Sequence, residues 1–286
     1  MKYGKPPLIG RDEHATECRE QNRTPKHRGM AKRGPSAGMP LRHSTFSSKY
    51  MTKEDALALV DAADFAEKVL HLPLTAHMTV TWQSAPNFNK NSPASYTQVH
   101  QRLMRALREF LGREGIELVF DCARENIVGQ GGHSHYRIHL PPDDWARRRV
   151  RLTKYVSERM GFRDSRALLI TPYRLPNAGE TTSHQRRGQM QYQLGSMDPN
   201  VELPTFGPLL AFLGLKHKPG AALPNGCKRV VWSENIGESA RKRKGWKDRR
   251  TMLELENYLS DDSVPTVGGL CPSVAPPMIG GASSAY

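Results

Sequence analysis

Hydrophobic positions recur along this chain with two periods, and the alternation between them predicts the elements. After Thr52, the residues Ala56, Leu59, Val60, Ala63 and Leu70 fall at helical spacing. Thr52 can cap a helix from Lys53 to about Leu70, with Asp55 at the third position completing a capping box. The period then drops to two. Ala76, Met78, Val80 and Trp82 alternate with His77, Thr79 and Thr81, the signature of a strand buried on one face. Ser92-Pro93 opens a second helix, whose apolar stripe is Val99, Leu103, Ala106, Leu107, Phe110 and Leu111, ending at Gly112.

Period two returns with Ile116, Leu118, Phe120 and Cys122 on one parity and Glu117, Val119, Asp121, Ala123 and Glu125 on the other. Gly129 and the pair Gly131-Gly132 supply residues suited to a turn. The chain then comes back with Tyr136, Ile138 and Leu140 facing one way and His133, His135, Arg137 and His139 the other, until Pro141-Pro142 stops the ladder. This predicts a β-hairpin, and the order so far is β-α-β-β. Asp143 and Asp144 open a further helix with Trp145, Leu152 and Val156 inward. The apolar run from Arg166 to Pro172 predicts a short strand in the interior of the sheet. Thr182 or Ser183 can cap a helix that Pro199 ends, with Tyr192 in its middle. Beyond it Pro204, Pro208, Pro219 and Pro224 mark irregular chain, Val230 to Trp232 a brief strand, and Ser233 the start of a short helix. The fold class is therefore α+β, an antiparallel sheet with helices packed on one face.

Composition adds boundaries. Residues 1–50 hold eleven Lys and Arg against four Asp and Glu and few apolar groups, which predicts a disordered basic arm. The ordered body is expected over 51–200, a basic C-terminal extension over 201–260, and a Pro/Gly/Ser-rich disordered tail over 261–286. The formal net charge of +14 points to a polyanionic partner, because each neutralised phosphate releases counterions. Arg241, Lys242, Arg243 and Lys244 lead a stretch with seven basic residues in ten, suited to phosphate contacts or to a solvated face. No apolar run is long enough to span a membrane and no apolar leader opens the chain. The four cysteines are scattered without a Cys-x-x-Cys pair, which fits a reducing cytoplasm better than a disulfide framework or a zinc knuckle.

The hairpin carries the chemistry. If both apolar parities face the core, then Glu125, His133 and His135 share the opposite face near the turn; His77 and Thr79 join it only if their strand closes centrally in the same sheet. Two imidazoles and a carboxylate so placed can ligate a metal with positions left open; the same pattern also describes a merely solvated sheet face. Glu125, a glycine-containing turn, Gly132-His133-Ser134-His135 and an alternating strand ending in Leu140-Pro141 resemble the metal motif of the HUH endonucleases, which nick single-stranded DNA with a tyrosine. Ser134 departs from the hydrophobic residue usual between the histidines, on the core side.

Over about residues 70–200 the resemblance implies an RNA-recognition-motif-like core and Mg²⁺ or Mn²⁺ held by Glu125, His133 and His135. It implies Tyr192 as nucleophile and single-stranded DNA or an origin hairpin as substrate, in replication initiation of a plasmid or phage beside host replication proteins. Tyr192-Gln-Leu-Gly-Ser-Met-Asp-Pro199 resembles the Tyr-Leu-Leu-Lys-Gly-Met/Ile-Asp-Pro segment of one bacterial branch. Gly195 stands at its lysine position, and Arg186 and Arg187 are the nearest substitutes in sequence. His77-Met-Thr-Val also matches half the signature of the 2H phosphodiesterases, with no convincing second copy. Two rival functions follow from the same residues: a DNA-binding protein that has lost cleavage, and a metal-dependent phosphoesterase that uses water in place of Tyr192.

Overall fold

The structure is a computed structural model that describes residues 49–127, 131–173, 182–218, 220–224 and 226–261. The disordered arm expected over 1–50 and the tail expected over 261–286 thus lie almost wholly outside the described residues, as do Gly129, Cys18 and Cys271. In chain order the elements are α1 (Lys53–Lys68), β1 (Ala76–Thr81), α2 (Pro93–Arg113), β2 (Phe120–Ile127), β3 (Gly131–Ile138), α3 (Trp145–Met160), β4 (Leu168–Pro172), α4 (Thr182–Gln193), β5 (Glu202–Leu203), β6 (Gly207–Pro208), α5 (Leu209–Phe212), β7 (Val230–Trp232), α6 (Glu238–Arg243) and α7 (Met252–Ser260).

The expected caps form. Thr52 accepts from the Asp55 amide while Asp55 reaches back to Thr52, closing the capping box of α1. The Ser92 hydroxyl accepts from the Ser95 amide, and Pro93 occupies the first turn of α2. The entry to α3 is different. Asp144 adopts a left-handed backbone (φ 52°) and makes no side-chain cap bond. The Arg148 guanidinium instead ties the entry down by donating to the carbonyls of Pro141, at 2.7 Å, and Asp143.

Five antiparallel strands form one sheet in the order β4-β1-β3-β2-β7. On one face α2 and α3 cover Ala76, Met78, Val80, Phe120, Cys122, Tyr136, Ile138, Leu168 and Ile170. The sequence predicts helices on that face alone, but the other face is partly covered too. There Ala123 and Val230 pack with Leu59 and Val60 of α1, Met190 of α4 and Leu194 just after it, and Leu255 and Leu259 of α7. The residues responsible sit on the nominally polar parity, where small Ala123 and apolar Val119 alternate with the charged groups and give the helices somewhere to land.

The pair Arg137–Asp121 makes this second layer possible. Both side chains are buried, and the Arg137 guanidinium grips the Asp121 carboxylate through two nitrogens. It also donates to the Leu59 carbonyl of α1 at 3.0 Å and to the Met190 sulfur of α4 at 2.9 Å. Burial works against the arginine's charge, but the Asp121 carboxylate more than offsets it, so the guanidinium holds its proton more tightly than usual.

Two further differences concern β4 and the basic extension. β4 is an edge strand paired only with β1, not an interior one. Its apolar run misleads because Leu169 points away from the helices and is 55% exposed, while Leu168 and Ile170 are buried. The stretch 201–260 contributes β7 to the same sheet, and α7 packs on α1 and α4. No helix among the described residues is long and apolar enough to cross a membrane.

Candidate functional site

The register of the hairpin places Glu125 directly across from His133 and Ala123 across from His135. On the other side of β3, Thr81 pairs with His133 and Thr79 with His135. Glu125, His133, His135, Thr79, Thr81 and His77 therefore share one face, at the end of the sheet near the turn. The glycines at the base of the hairpin are needed for space as well as conformation. Gly131 has φ +77°, and a Cβ there would overlap the Gln83 amide; one on Gly132 would come within 2.6 Å of the Tyr96 hydroxyl. Ser134, the departure between the histidines, is fully buried on the core side and accepts a hydrogen bond from the Trp82 indole at 2.7 Å. The hydroxyl is there because Trp82 needs a partner for a buried N–H.

Each histidine rests on a threonine. Thr79 Oγ1 is 3.3 Å from His135 Nδ1, and Thr81 Oγ1 is 3.3 Å from His133 Nδ1. A hydroxyl both donates and accepts, so it supports either imidazole tautomer while fixing the ring. His135 Nε2 lies 3.3 Å from Glu125 Oε2. Burial pushes the Glu125 carboxyl up, but the hydrogen bond from His135 and the charges of His135, Lys218 and His133 outweigh it and hold the group below its ordinary range.

Glu125 and His135 could supply two neighbouring ligands to a divalent metal. Two ligands bound side by side at about 2.1 Å each stand roughly 3 Å apart in an octahedral shell, close to the spacing of His135 Nε2 and Glu125 Oε2. With each Nδ1 beside a threonine hydroxyl, a metal would be met through Nε2. Among the described residues no three His, Cys, Asp or Glu side chains are drawn together as a metal cage, and the His135–Glu125 pair is the closest approach of such groups on this face.

Tyr192 comes to the same face. It belongs to the last turn of α4, not the middle, because the helix ends at Gln193 well before Pro199. Its ring lies 4.3 Å from that of His77 and 6.4 Å from that of His135, and it is 53% exposed. The chain beyond it is pinned by the start of α1: the Met51 amide donates to the Ser196 carbonyl at 2.8 Å and the Asp198 amide to the Met51 carbonyl at 3.1 Å. Gly195 is thereby pressed onto the site. His77 itself is buried, with its Nε2 lacking a partner among the described residues. Burial, then the charges of His135 and Arg137, pushes its pKa down to about 3.

The basic residues fare differently. Arg186 donates to the carbonyls of Tyr258 and Asp261 and lies over the Tyr258 ring, tying α4 to α7. Arg187 lies over Phe212. Both are thus engaged on the α5–α7 side, and neither stands in for a lysine at 195. Arg241 is buried, bonded to Asp248 at 2.7 Å and to the Ile236 carbonyl at 2.8 Å, so it braces the fold in place of meeting a phosphate. Lys242 pairs with Glu238 at 2.6 Å on the surface, while Arg243 and Lys244 are exposed.

Besides the histidines, the charges of Lys218 and Arg229 act on Glu125, and of these Lys218 carried no sequence signal. It is brought there by the return of the chain beside β2, where the Ala221 amide donates to the Asn126 carbonyl at 2.7 Å and Asn126 to the Ala222 carbonyl at 3.0 Å. No protein-family model, curated protein or solved structure matches the chain.

Proposed function

We propose that this protein nicks and rejoins single-stranded DNA through a covalent tyrosine intermediate, as an HUH-type endonuclease in replication initiation of a plasmid or phage. The observation that carries the reading is the convergence of Tyr192 with His135 and Glu125. The tyrosine comes from a helix and the other two from a hairpin far away in sequence, yet the phenol ring lies 6.4 Å from the His135 ring, which is itself paired with Glu125. A half-exposed tyrosine beside a carboxylate–imidazole pair on a basic protein fits attack on a phosphodiester.

Glu125, His135 and His133 would hold Mg²⁺ or Mn²⁺, which polarises the scissile phosphate and offsets developing charge. The residues of the chain divide the remaining work. Thr79 and Thr81 fix the imidazoles, Lys218 adds positive charge beside the carboxylate, and the pinning of residues 196–198 to Met51 holds the tyrosine helix in place. The Tyr192 oxygen attacks phosphorus, its proton leaving to solvent on the exposed side. The bond to the 3′-oxygen breaks, that oxygen takes up a proton, and DNA remains on the protein as a 5′-phosphotyrosine. The reverse attack by a 3′-hydroxyl rejoins the strand.

A 3′-end-labelled, random-sequence single-stranded oligonucleotide pool with Mn²⁺ tests this on a denaturing gel. The expected result is labelled DNA migrating with wild-type protein and absent for Tyr192→Phe, while both bind the pool alike. Cleavage without adduct would assign the attack to water. A shift under native conditions with no cleavage would leave a binding protein.

A further inference from the structure

We propose that His77 is a positioning residue for Tyr192: the face of its imidazole is the seat that fixes the phenol over the Glu125–His135 pair. The inference rests on the nuclease reading for its functional meaning and on the ring geometry for its structural content.

Tyr192 lies in the last turn of α4 and is 53% exposed, so packing alone leaves its side chain a choice among staggered rotamers. What selects one is a ring contact. The phenol and imidazole centroids are 4.3 Å apart with the planes tilted by 30°, slightly closer than aromatic pairs usually come. The seat is rigid where the tyrosine is not. His77 is 4% exposed, lies on β1 with a paired strand on either side, and stacks on His135 at 5.5 Å with the planes 13° apart. The Tyr173 ring closes another side at 6.3 Å. Below, the bond from Arg137 to Met190 holds α4 against the same strands.

The contact uses the ring and not its Nε2. His77 Nε2 is buried and has no hydrogen-bond partner among the described residues, so it neither anchors the imidazole nor bonds the tyrosine. A flat ring of similar width should therefore serve as well. Phenylalanine would keep the face and remove an unsatisfied polar atom, whereas alanine would leave the phenol free to swing away from the phosphate.

The test compares His77→Ala and His77→Phe in the full chain, each carrying 3-fluorotyrosine at position 192, with folding checked by thermal unfolding. The rate of adduct formation at saturating oligonucleotide should fall about tenfold or more in His77→Ala, since lost orientation acts on the bonding step. The Kd for oligonucleotide should stay within about twofold, because uniform binding is untouched. His77→Phe should restore the rate, and the ¹⁹F resonance should move in His77→Ala and return towards the wild-type position in His77→Phe. Equal rates for His77→Ala and wild type would overturn the proposal, and so would a His77→Phe variant as slow as His77→Ala. If wild type forms no adduct, the nuclease reading fails by itself. The ¹⁹F shift then still decides the seat: an unchanged resonance in His77→Ala overturns it, and a change reversed by His77→Phe supports it.

Discussion

Gly195 and Glu125 touch. A Cβ built on the glycine would lie 3.1 Å from Glu125 Oε1, closer than such contacts usually run, and Glu125 is 2% exposed and already paired with His135. A side chain at the lysine position of the resembled segment would thus crowd the carboxylate, which would have to give by a few tenths of an ångström. Gly195 also lies beyond the end of α4, so helix propensity has no bearing on it.

Gly195→Ala should therefore displace the carboxylate and weaken Mn²⁺ binding by about tenfold, the scale on which disturbed support of a metal ligand acts. Gly195→Lys should not raise cleavage, despite restoring the residue type of the resembled segment. Titration calorimetry with Mn²⁺ and the adduct gel check both; a faster Gly195→Lys enzyme would mean that Glu125 moves aside freely.

The threonine supports give a second, graded test. His135→Ala should abolish Mn²⁺ binding. Thr79→Val keeps the shape but removes the hydroxyl 3.3 Å from His135 Nδ1, and should weaken binding by about tenfold. Equal affinity in Thr79→Val and wild type would show that the ring is held by packing alone.

The buried pair beneath α4 predicts a stability effect. Asp121→Asn leaves the Arg137 charge buried without its counter-ion and should destabilise the protein by about 3–5 kcal/mol in urea unfolding. Replacing both partners by apolar residues, Asp121→Leu with Arg137→Met, should recover much of that loss. The hydrogen bonds from Arg137 to Leu59 and Met190 would still be lost, so the α4 amides should exchange faster in the double variant.

Acid should destabilise the fold through His100. Burial, then the charges of Arg124 and Arg108, pushes its pKa down to about 3 from an ordinary 6.5, and its Nδ1 lies 2.9 Å from the Tyr136 hydroxyl. Between these two values the unfolded chain takes up a proton that the folded one refuses, so stability falls as pH drops from about 6.5 towards 3 and rises again with pH. His100→Asn retains a polar partner for Tyr136 but does not titrate. Its urea midpoint should depend less on pH across that window than that of wild type.

Charge on the surface should separate from charge in the core. Affinity for single-stranded DNA should fall with salt, log K against log[salt] having a slope of about −0.7 per phosphate neutralised. Arg243→Ala with Lys244→Ala, both exposed, should make that slope shallower. Arg241→Ala should leave the slope alone and lower stability, since its guanidinium bonds Asp248 and Ile236 inside the fold. Urea unfolding of Arg241→Ala and salt titrations of all the variants make the comparison.

Local rules determined much of this protein from sequence alone. Period-two alternation is dictated by strand geometry, so the antiparallel pair and the shared face of Glu125, His133 and His135 follow from residue parity, while the register that sets Glu125 opposite His133 does not. The caps at Thr52 and Ser92 follow likewise, because the first amides of a helix need acceptors and these side chains reach them without help from the rest of the fold. Tertiary packing decided what parity cannot express. A residue marked polar by alternation can be exposed or covered, and only packing revealed that Arg137 and Asp121 satisfy each other and admit a second helical layer. The exposure of Leu169 could not be read from the apolar run of β4, since only the packing shows that no helix among the described residues covers it. The nearness of Tyr192 to His77, of Gly195 to Glu125 and of Lys218 to the same carboxylate joins segments separated by tens of residues. Arg137 holds α4 through Met190 and Met51 holds residues 196–198 just beyond it, and long-range closure of that kind leaves no periodic trace in the chain.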